Sequence, residues 1–120
     1  MQMVRPNQPL SLGLTRLTGE MYPLSHDKSA SSMLLISRNN QSFAYFGDTG
    51  PDAMEKSKNL DTVWRNLAEK VKQQQLKGMI IEVSFPNDVA DNQLYGHMTP
   101  KWLLKELKNL ETYSGEGQPL

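Results

Sequence analysis

The order of short apolar runs and turn-forming segments most strongly restricts how this 120-residue chain can fold. Residues 33–37 (MLLIS) and 42–46 (SFAYF) are apolar runs of strand length. Between them, residues 38–41 contain an Asn pair, which suits the left-handed conformations of a tight turn. The pattern predicts a β-hairpin that ends abruptly in the turn residues 47–52 (GDTGPD).

An amphipathic stretch follows at residues 61–76. Apolar side chains recur there at spacings of three and four, as on one face of a helix: Val63, Trp64, Leu67, Ala68 and Val71. Asp61 is a suitable N-cap, and Gly78 is a suitable stop. The apolar run 79–83 (MIIEV) then predicts a buried strand.

The last helix has the clearest start signal in the chain. Thr99 is a suitable N-cap, and Pro100 would occupy the first helical position. Its buried face is predicted to consist of four leucines: Leu103, Leu104, Leu107 and Leu110. The resulting order of hairpin, helix, strand and helix indicates an α/β fold.

The two ends of the chain are expected to be less regular. Residues 1–13 read as an irregular lead-in and residues 114–120 as a frayed tail. Residues 14–24 could hold one or two short strands, with Pro23 at a sheet edge or a strand end. We therefore expect one domain, or part of one, across residues 1–120.

Composition excludes several classes of protein. The chain has no cysteine, which rules out disulfide scaffolds, zinc ribbons and thiol catalysis. Its 13 basic and 13 acidic residues balance, so nucleic acid and anionic membranes are unfavoured partners. No apolar run approaches the roughly 20 residues that span a bilayer, and the first residues lack the apolar core of a signal peptide. We expect a soluble protein, with cytoplasm and periplasm both left open.

Three metal-competent side chains follow apolar strands or precede a helix. Asp48 comes after the FAYFG run, Glu82 lies near the end of MIIEV, and His97 directly precedes the last helix. Such positions gather at one edge of an α/β sheet, where sites form. From composition alone, other interpretations stay open. Asp48 could be an ordinary turn residue, His97 a capping residue and Glu82 a solvated carboxylate, while His26 could lie in an exposed loop.

Together these segments resemble the C-terminal part of a metallo-β-lactamase-fold hydrolase, and within that superfamily the class II 3′,5′-cyclic-nucleotide phosphodiesterases. The resemblance runs from about Pro23 to Leu110. It rests on residues 24–26 (LSH), 45–50 (YFGDTG), 76–87 (LKGMIIEVSFPN), 91–95 (DNQLY), 96–100 (GHMTP) and 103–107 (LLKEL). The glycine-flanked aspartate is shared with the wider superfamily, including tRNA-processing nucleases, whereas the Gly-His-Met-Thr-Pro series is more specific to the phosphodiesterases.

The resemblance implies both a fold and an activity. The family fold is an αββα sandwich with a two-metal site at the edge of its sheets, and residues 1–120 would form the C-terminal half of that single domain. The implied activity is hydrolysis of cyclic AMP or cyclic GMP to nucleoside 5′-monophosphates by a longer enzyme. The implied cofactors are two divalent metal ions, with zinc favoured. Two such cations about 3.5–4 Å apart neutralise a cyclic phosphate and activate water.

The resemblance also assigns roles to particular residues. Asp48 matches the aspartate that bridges the two metal ions, and His97 matches the last histidine ligand. His26 falls where relatives carry a histidine close to the substrate phosphate, which implies a substrate or proton-handling role in preference to a metal role, although the metal role stays open. Glu82 matches a strand-end glutamate that would orient a ligand.

Most of the superfamily's metal ligands are expected to lie outside this chain. The His-x-His-x-Asp-His cluster is absent from the sequence, and we expect the further histidine between that cluster and Asp48 to be missing as well. The main expected partner is therefore the N-terminal half that carries the cluster, and whether Met1 is a true start stays open. The isolated chain should be inactive and marginally stable, because half of a sandwich exposes an apolar sheet face.

Two other readings and one assembly question remain open at this stage. A tRNA 3′-end nuclease of the same fold would favour a basic surface, which the neutral charge does not provide. A non-catalytic half-domain would bind no metal and would only pack against a partner. A homodimer is also left open.

Overall fold

The computed structural model describes residues 10–11 and 17–115. Its elements are β1 (Leu10–Ser11), β2 (Thr18–His26), β3 (Ser29–Arg38), β4 (Gln41–Phe46), α1 (Asp52–Glu55), α2 (Asn59–Lys72), β5 (Leu76–Ile80), a 3₁₀ turn (Asp91–Gln93) and α3 (Pro100–Ser114). Most of the expected lead-in and of the expected tail lies outside the described residues, while Ser114 still belongs to α3.

The five strands form one sheet in the order β1-β2-β3-β4-β5. The pairs from β1 to β4 are antiparallel, and β5 joins β4 in parallel after the chain crosses over through α2. A parallel pair needs such a crossover because a tight turn cannot reverse the chain twice. The predicted α/β class is confirmed.

Two consecutive hairpins build the centre of the sheet. The predicted β3–β4 hairpin is confirmed, and its turn residues Asn39 and Asn40 adopt left-handed φ angles of 50° and 62°. A second, longer hairpin joins β2 to β3 through the two residues Asp27 and Lys28. His26 therefore ends a paired strand instead of lying in an exposed loop, as the alternative interpretation held.

The start of α2 differs from the prediction. The helix begins at Asn59, and Asp61 is not its N-cap. The carboxylate of Asp52 accepts hydrogen bonds from the backbone N–H groups of Leu60 and Asp61, at 3.1 and 2.9 Å. A capping group supplied from α1 thus replaces the local one, since an N-terminal N–H group accepts any well-placed carboxylate.

The end of α2 also differs from the prediction. The helix ends at Lys72, and Gln74 reverses the chain with a φ of 58°. Gly78 is not a stop, because it lies inside β5 with the Phe43 ring above it. The predicted strand at 79–83 accordingly starts earlier, at Leu76, and ends at Ile80.

Helix α3 starts as predicted, with the Thr99 hydroxyl accepting from the Trp102 backbone N–H at 3.3 Å and Pro100 in the first turn. Its buried face was partly mispredicted. Leu104 is 69% exposed, while Glu106 is buried. Leu104 lies one position, about 100° of helix rotation, from Leu103, so it cannot share the inner face fully.

The core lies between one face of the sheet and helices α2 and α3. Alternate residues of β2 and β4 point into it, as in Tyr22 and Leu24 and in Ala44 and Phe46. The largest contribution comes from α2, where Trp64 is fully buried against Phe46 at 5.5 Å between ring centroids. This layer holds the sheet rigid beneath the loops at its edge.

The opposite face of the sheet is apolar and uncovered within the part of the chain that the structure describes. Phe43, Tyr45 and Ile80 are 37%, 53% and 51% exposed. Leu34 pairs with Tyr45 and Ile36 with Phe43, so the half-buried leucine and isoleucine extend the same patch. Among the described helices, none combines the length and the apolar character needed to cross a bilayer.

Candidate metal centre

Three segments that are distant in sequence converge at one edge of the sheet. His26 ends β2, Asp48 follows β4, and His97 precedes α3. One possible ligand atom from each residue can be chosen so that all three lie within 4.8 Å of one another. The structure thus brings Asp48 and His97 together and adds His26 to them.

Backbone hydrogen bonds hold the Asp48 loop against the β2–β3 hairpin. The N–H group of Gly47 donates to the Ser32 carbonyl at 2.9 Å, and that of Gly50 donates to the Ser25 carbonyl at 2.9 Å. The aspartate is therefore fixed on both sides by peptide groups of the β2–β3 hairpin, whose first strand ends at His26. A loop held in this way keeps its carboxylate near the imidazole without relying on side-chain order.

The His97 loop is held against the same hairpin through Gly96. Its carbonyl oxygen lies 2.8 Å from His26 Nδ1, and its φ of 85° is in the region that favours glycine. A Cβ atom at Gly96 would lie 2.5 Å from His26 Nδ1 and 2.6 Å from the Asp27 backbone nitrogen. Only glycine lets this loop approach so closely.

This contact fixes how the His26 imidazole is protonated. A carbonyl oxygen can only accept, so Nδ1 carries the proton and donates to Gly96. The other ring nitrogen, Nε2, lies 3.5 Å from Asp48 Oδ2. Donation from one ring nitrogen to a backbone carbonyl, with the other nitrogen directed at a carboxylate cluster, is the arrangement of metal-ligating histidines.

The His97 ring is oriented by a second set of contacts. Its Nδ1 lies 3.0 Å from the Ser84 hydroxyl and 3.6 Å from Glu82 Oε1. The Ser84 hydroxyl also donates to Glu82, and Phe85 meets the His97 ring edge-on at 5.6 Å between centroids. Glu82 thus lies beside a candidate ligand. Ser84 was missed, although its spacing of two from Glu82 along an extended segment is a usable signal.

The electrostatics of the cluster suit a cation. A hydrogen bond with Glu82, and then the nearby His26 and His97 imidazoles, lower the pKa of Asp48, while burial opposes this. Two imidazole nitrogens with carboxylate oxygens are a donor set for zinc and similar ions, so the residues present fit a metal site.

A second polar cluster lies under α2, away from the sheet edge. Glu106 is only 6% exposed, and its carboxylate accepts from Trp64 Nε1 at 2.9 Å and from the Asp52 backbone N–H at 3.2 Å. Burial raises the pKa of both Glu106 and Asp52. Sequence reasoning missed this cluster, because a glutamate on a leucine-rich helix normally faces solvent.

Comparison with known proteins agrees with this geometry. Residues 8–120 match the family model described as class-II cAMP phosphodiesterases. The chain is 86% identical over all 120 residues to a Yersinia pestis protein named "Probable 3′,5′-cyclic-nucleotide phosphodiesterase", of which it covers 35%. It is 52% identical over 96 residues to a 3′,5′-cyclic-nucleotide phosphodiesterase of Aliivibrio fischeri, covering 29% of that protein.

Solved structures support the same fold. The crystal structure of unliganded yeast PDE1 matches 95% of this chain with a TM-score of 0.84 at 23% identity, over 34% of its own length. The metallo-β-lactamase-fold protein YhfI from Bacillus subtilis matches 88% of the chain with a TM-score of 0.61 at 18% identity, over 36% of its length. The chain therefore has part of a metallo-β-lactamase fold, and it spans about a third of the length of these relatives.

Proposed function

The chain belongs to the class-II cAMP phosphodiesterases, and on this premise we propose that it is the C-terminal part of a metal-dependent enzyme that hydrolyses 3′,5′-cyclic nucleotides to nucleoside 5′-monophosphates. The observation that carries this proposal is the convergence of His26, Asp48 and His97 at the edge of the sheet. A cyclic phosphodiester is an anion, so its hydrolysis is favoured where the protein concentrates positive charge on it.

The proposed metal ligands are His26 Nε2, the Asp48 carboxylate and the His97 imidazole. The resemblance implies two divalent ions, and zinc is the first metal to test. Bound there, the ions would neutralise the phosphate charge and lower the pKa of water. The sequence-based expectation favoured a substrate or proton-handling role for His26 over a metal role. The structure instead favours a ligand role, because Nδ1 is bonded to Gly96 and Nε2 is directed at Asp48. We propose that His26 is the further histidine ligand that the sequence analysis expected to be missing from this chain.

The remaining residues of the site position these ligands. Gly96 fixes the tautomer of His26 through its carbonyl oxygen. Ser84 and Glu82 would do the same for His97 by holding its Nδ1, which leaves Nε2 for the metal. Neutral imidazoles supply donor atoms without cancelling the cation's charge, so the centre keeps its attraction for a phosphate anion.

A further segment must complete the site. We propose that the N-terminal half found in the longer relatives carries the His-x-His-x-Asp-His ligands and covers the apolar face formed by Phe43, Tyr45 and Ile80. Two observations support this proposal: the chain spans only about a third of the length of its relatives, and these three side chains are exposed. The isolated chain would then be inactive, and a homodimer that pairs the same faces is the alternative occupant.

A chimera tests the proposal directly. This chain would replace the matching third of the Yersinia pestis relative. The two sequences are 86% identical there, so they differ at 100 − 86 = 14% of positions. The chimera should hydrolyse cyclic AMP, and the isolated chain should not. Cyclic GMP and a tRNA precursor serve as competing substrates, and the intact Yersinia protein is the positive control.

The same chimera tests the ligand set by elemental analysis of bound metal. His26→Ala should lower both metal content and turnover. If metal content were retained while hydrolysis slowed, His26 would return to the substrate role. Hydrolysis of the tRNA precursor without cyclic AMP turnover would refute the proposed activity. Sedimentation of the isolated chain as a dimer would indicate that a second copy, and not the N-terminal half, covers the sheet face.

A further inference from the structure

We infer that the cavity beside the metal centre binds the nucleobase of the substrate, with Tyr95 stacking on the base and Asn92 hydrogen bonding to its edge. This inference rests on the proposed function and adds the part of the substrate that the metal centre does not recognise. The cavity has a volume of about 450 Å³, which is within the usual range for small-molecule sites.

The position of the cavity relates it to the metal centre. One wall is α1 and the segment before it, and the other wall is the 91–97 segment that leads into His97. His97 lines the cavity, as does Asp27, which directly follows His26. A ligand whose phosphate lies at the metal centre can therefore extend its other end into this space without a change in the backbone.

The charges around the cavity decide which end of a nucleotide it suits. Three acidic residues line it, Asp27, Glu55 and Asp91, against the single lysine Lys56. This balance disfavours a phosphate group in the cavity and favours a neutral group that offers N–H donors. Purine bases are neutral and flat and carry amino N–H donors, so the charge pattern favours binding of the nucleotide with its phosphate at the metals and its base in the cavity.

Tyr95 is a central residue of a tight turn, in which the His97 backbone N–H donates to the Leu94 carbonyl at 3.0 Å. Its φ of 49° is in the left-handed region, which is unfavourable for a bulky residue. Its side chain is 65% exposed and so contributes little to the core. Among residues 10–11 and 17–115, its hydroxyl has no hydrogen-bond partner. An exposed aromatic ring held at the rim of a cavity is suited to stack on a base.

Asn92 supplies the polar part of the proposed recognition. Its exposed side chain lines the cavity, and its amide makes no hydrogen bond within the described residues. The neighbouring acids are already engaged: Glu55 accepts from the Asp27 backbone N–H, and Asp91 accepts from Trp102 Nε1 at 2.8 Å. An uncommitted amide offers an N–H₂ donor group beside a carbonyl acceptor, which matches the paired groups on the edge of a purine.

The test uses the metal-loaded chimera with three substrates: cyclic AMP, cyclic GMP and a ribose 3′,5′-cyclic phosphate that lacks a base. Tyr95→Ala should lower the kcat/KM for cyclic AMP relative to the base-free substrate by about tenfold, through KM. Tyr95→Phe should keep the wild-type ratio, because it keeps the ring. Asn92→Ala should shift the ratio of cyclic AMP to cyclic GMP by roughly tenfold, and Asn109→Ala, on the exposed side of α3, is the matched control.

Binding of adenosine, followed by calorimetry, separates this inference from the proposed function. Adenosine has a base but no phosphate, so Tyr95→Ala should weaken its binding whether or not the chimera is active. An equal loss of rate on the base-free substrate would assign Tyr95 to contact with the rest of the enzyme and overturn the inference. Unchanged ratios and unchanged adenosine binding would overturn it as well. A chimera that hydrolyses no cyclic phosphate would refute the proposed function alone.

Discussion

The two carboxylate clusters of this chain differ in how their polar atoms are satisfied. Under α2, the oxygens of Asp52 and Glu106 accept from backbone and indole N–H groups of the chain itself. At the sheet edge, Asp48 faces Glu82 and two imidazoles. The first cluster is complete without any ligand, since each buried acceptor has a donor. The second cluster would be stabilised by an added cation. This need for a ligand distinguishes a functional polar cluster from a structural one.

The largest expected effect contrasts Asp48 with Asp52. In the chimera, Asp48→Ala should lower cyclic AMP hydrolysis by more than about 100-fold, because loss of a group that only orients a ligand already costs roughly 10–100-fold. Its metal content should fall, while the metal-free stability should change by less than about 0.5 kcal/mol. His97→Ala should behave alike.

Asp52→Ala should show the reverse pattern. It removes the acceptor for the Leu60 and Asp61 backbone N–H groups. We expect a loss of about 1–2 kcal/mol in the free energy of unfolding, with metal content retained. Urea denaturation and elemental analysis measure both quantities. If the two variants lost metal and stability in the same proportion, the distinction between the clusters would be wrong.

The second prediction concerns the packing that joins the two ligand loops. Gly96→Ala and Gly115→Ala both place a side chain at a positive φ, 85° and 95°. Only at Gly96 does the new Cβ atom meet other atoms, those of His26 and Asp27, while nothing lies within 4 Å at Gly115. Both variants should lose about 1–2 kcal/mol of stability from backbone strain.

Gly96→Ala should additionally lose metal and activity, because its methyl group displaces the His26 ring. Gly115→Ala is the matched control and should retain both. Metal titration of the two variants decides the matter: equal metal affinity in both would mean that the Gly96 contact does not position His26.

The third prediction uses the buried cluster. In Glu106→Gln, one amide N–H₂ group must face either the Trp64 indole or the Asp52 N–H, since each carboxylate oxygen now accepts from one of them. An unpaired buried donor costs about 1–3 kcal/mol. The unfolding midpoint in urea at neutral pH should fall accordingly, and Glu111→Gln on the same helix should have little effect.

The pH dependence of this loss has a definite sign. Burial raises the pKa of Glu106, so the folded protein binds this proton more tightly than the unfolded chain. The stabilisation is complete below the ordinary pKa of a glutamate and disappears as the pH rises through the raised value. The difference between wild type and Glu106→Gln should therefore be larger at low pH than at neutral pH. A difference that grows with pH would contradict the assignment.

The smallest effect is expected at an exposed cluster. Arg65 pairs with Asp61 at 2.9 Å and lies over the Tyr113 ring at 4.4 Å. Both contacts are open to solvent, so Arg65→Ala should lower the free energy of unfolding only slightly, by less than Asp52→Ala or Glu106→Gln. Thermal unfolding in low and high salt checks this, since screening should reduce the loss. A larger or salt-independent loss would show that the cluster is part of the core.

Local signals in the sequence predicted the elements whose boundaries are set locally. The Thr99 and Pro100 pair set the start of α3, and Asn39 and Asn40 set a hairpin turn. The start of α2 could not be read in this way, because Asp52, from outside the helix, caps it. Hydrogen bonds from a residue outside the helix override the local capping signal, and they leave no mark on the sequence at the helix start.

Sequence reasoning identified only part of the candidate site, because the remaining contacts also depend on residues that are distant in sequence. Asp48 and His97 stand in motifs that a family resemblance can identify, and the structure brings them together. The position of His26 depends on the Asp27–Lys28 turn and on the close approach of Gly96, neither of which follows from the residues around it. Ser84 contributes only through its distance to His97, which requires the folded chain.

The alternation along β2 limits how the chain can change in length. Tyr22, Leu24 and His26 occupy every second position, so the candidate ligand continues the row of side chains that enters the core. Ala44, Phe46 and Asp48 have the same spacing around β4. A deletion of one residue within either strand would turn its ligand toward the opposite face. Insertions and deletions that this family tolerates in these strands should therefore occur in even numbers.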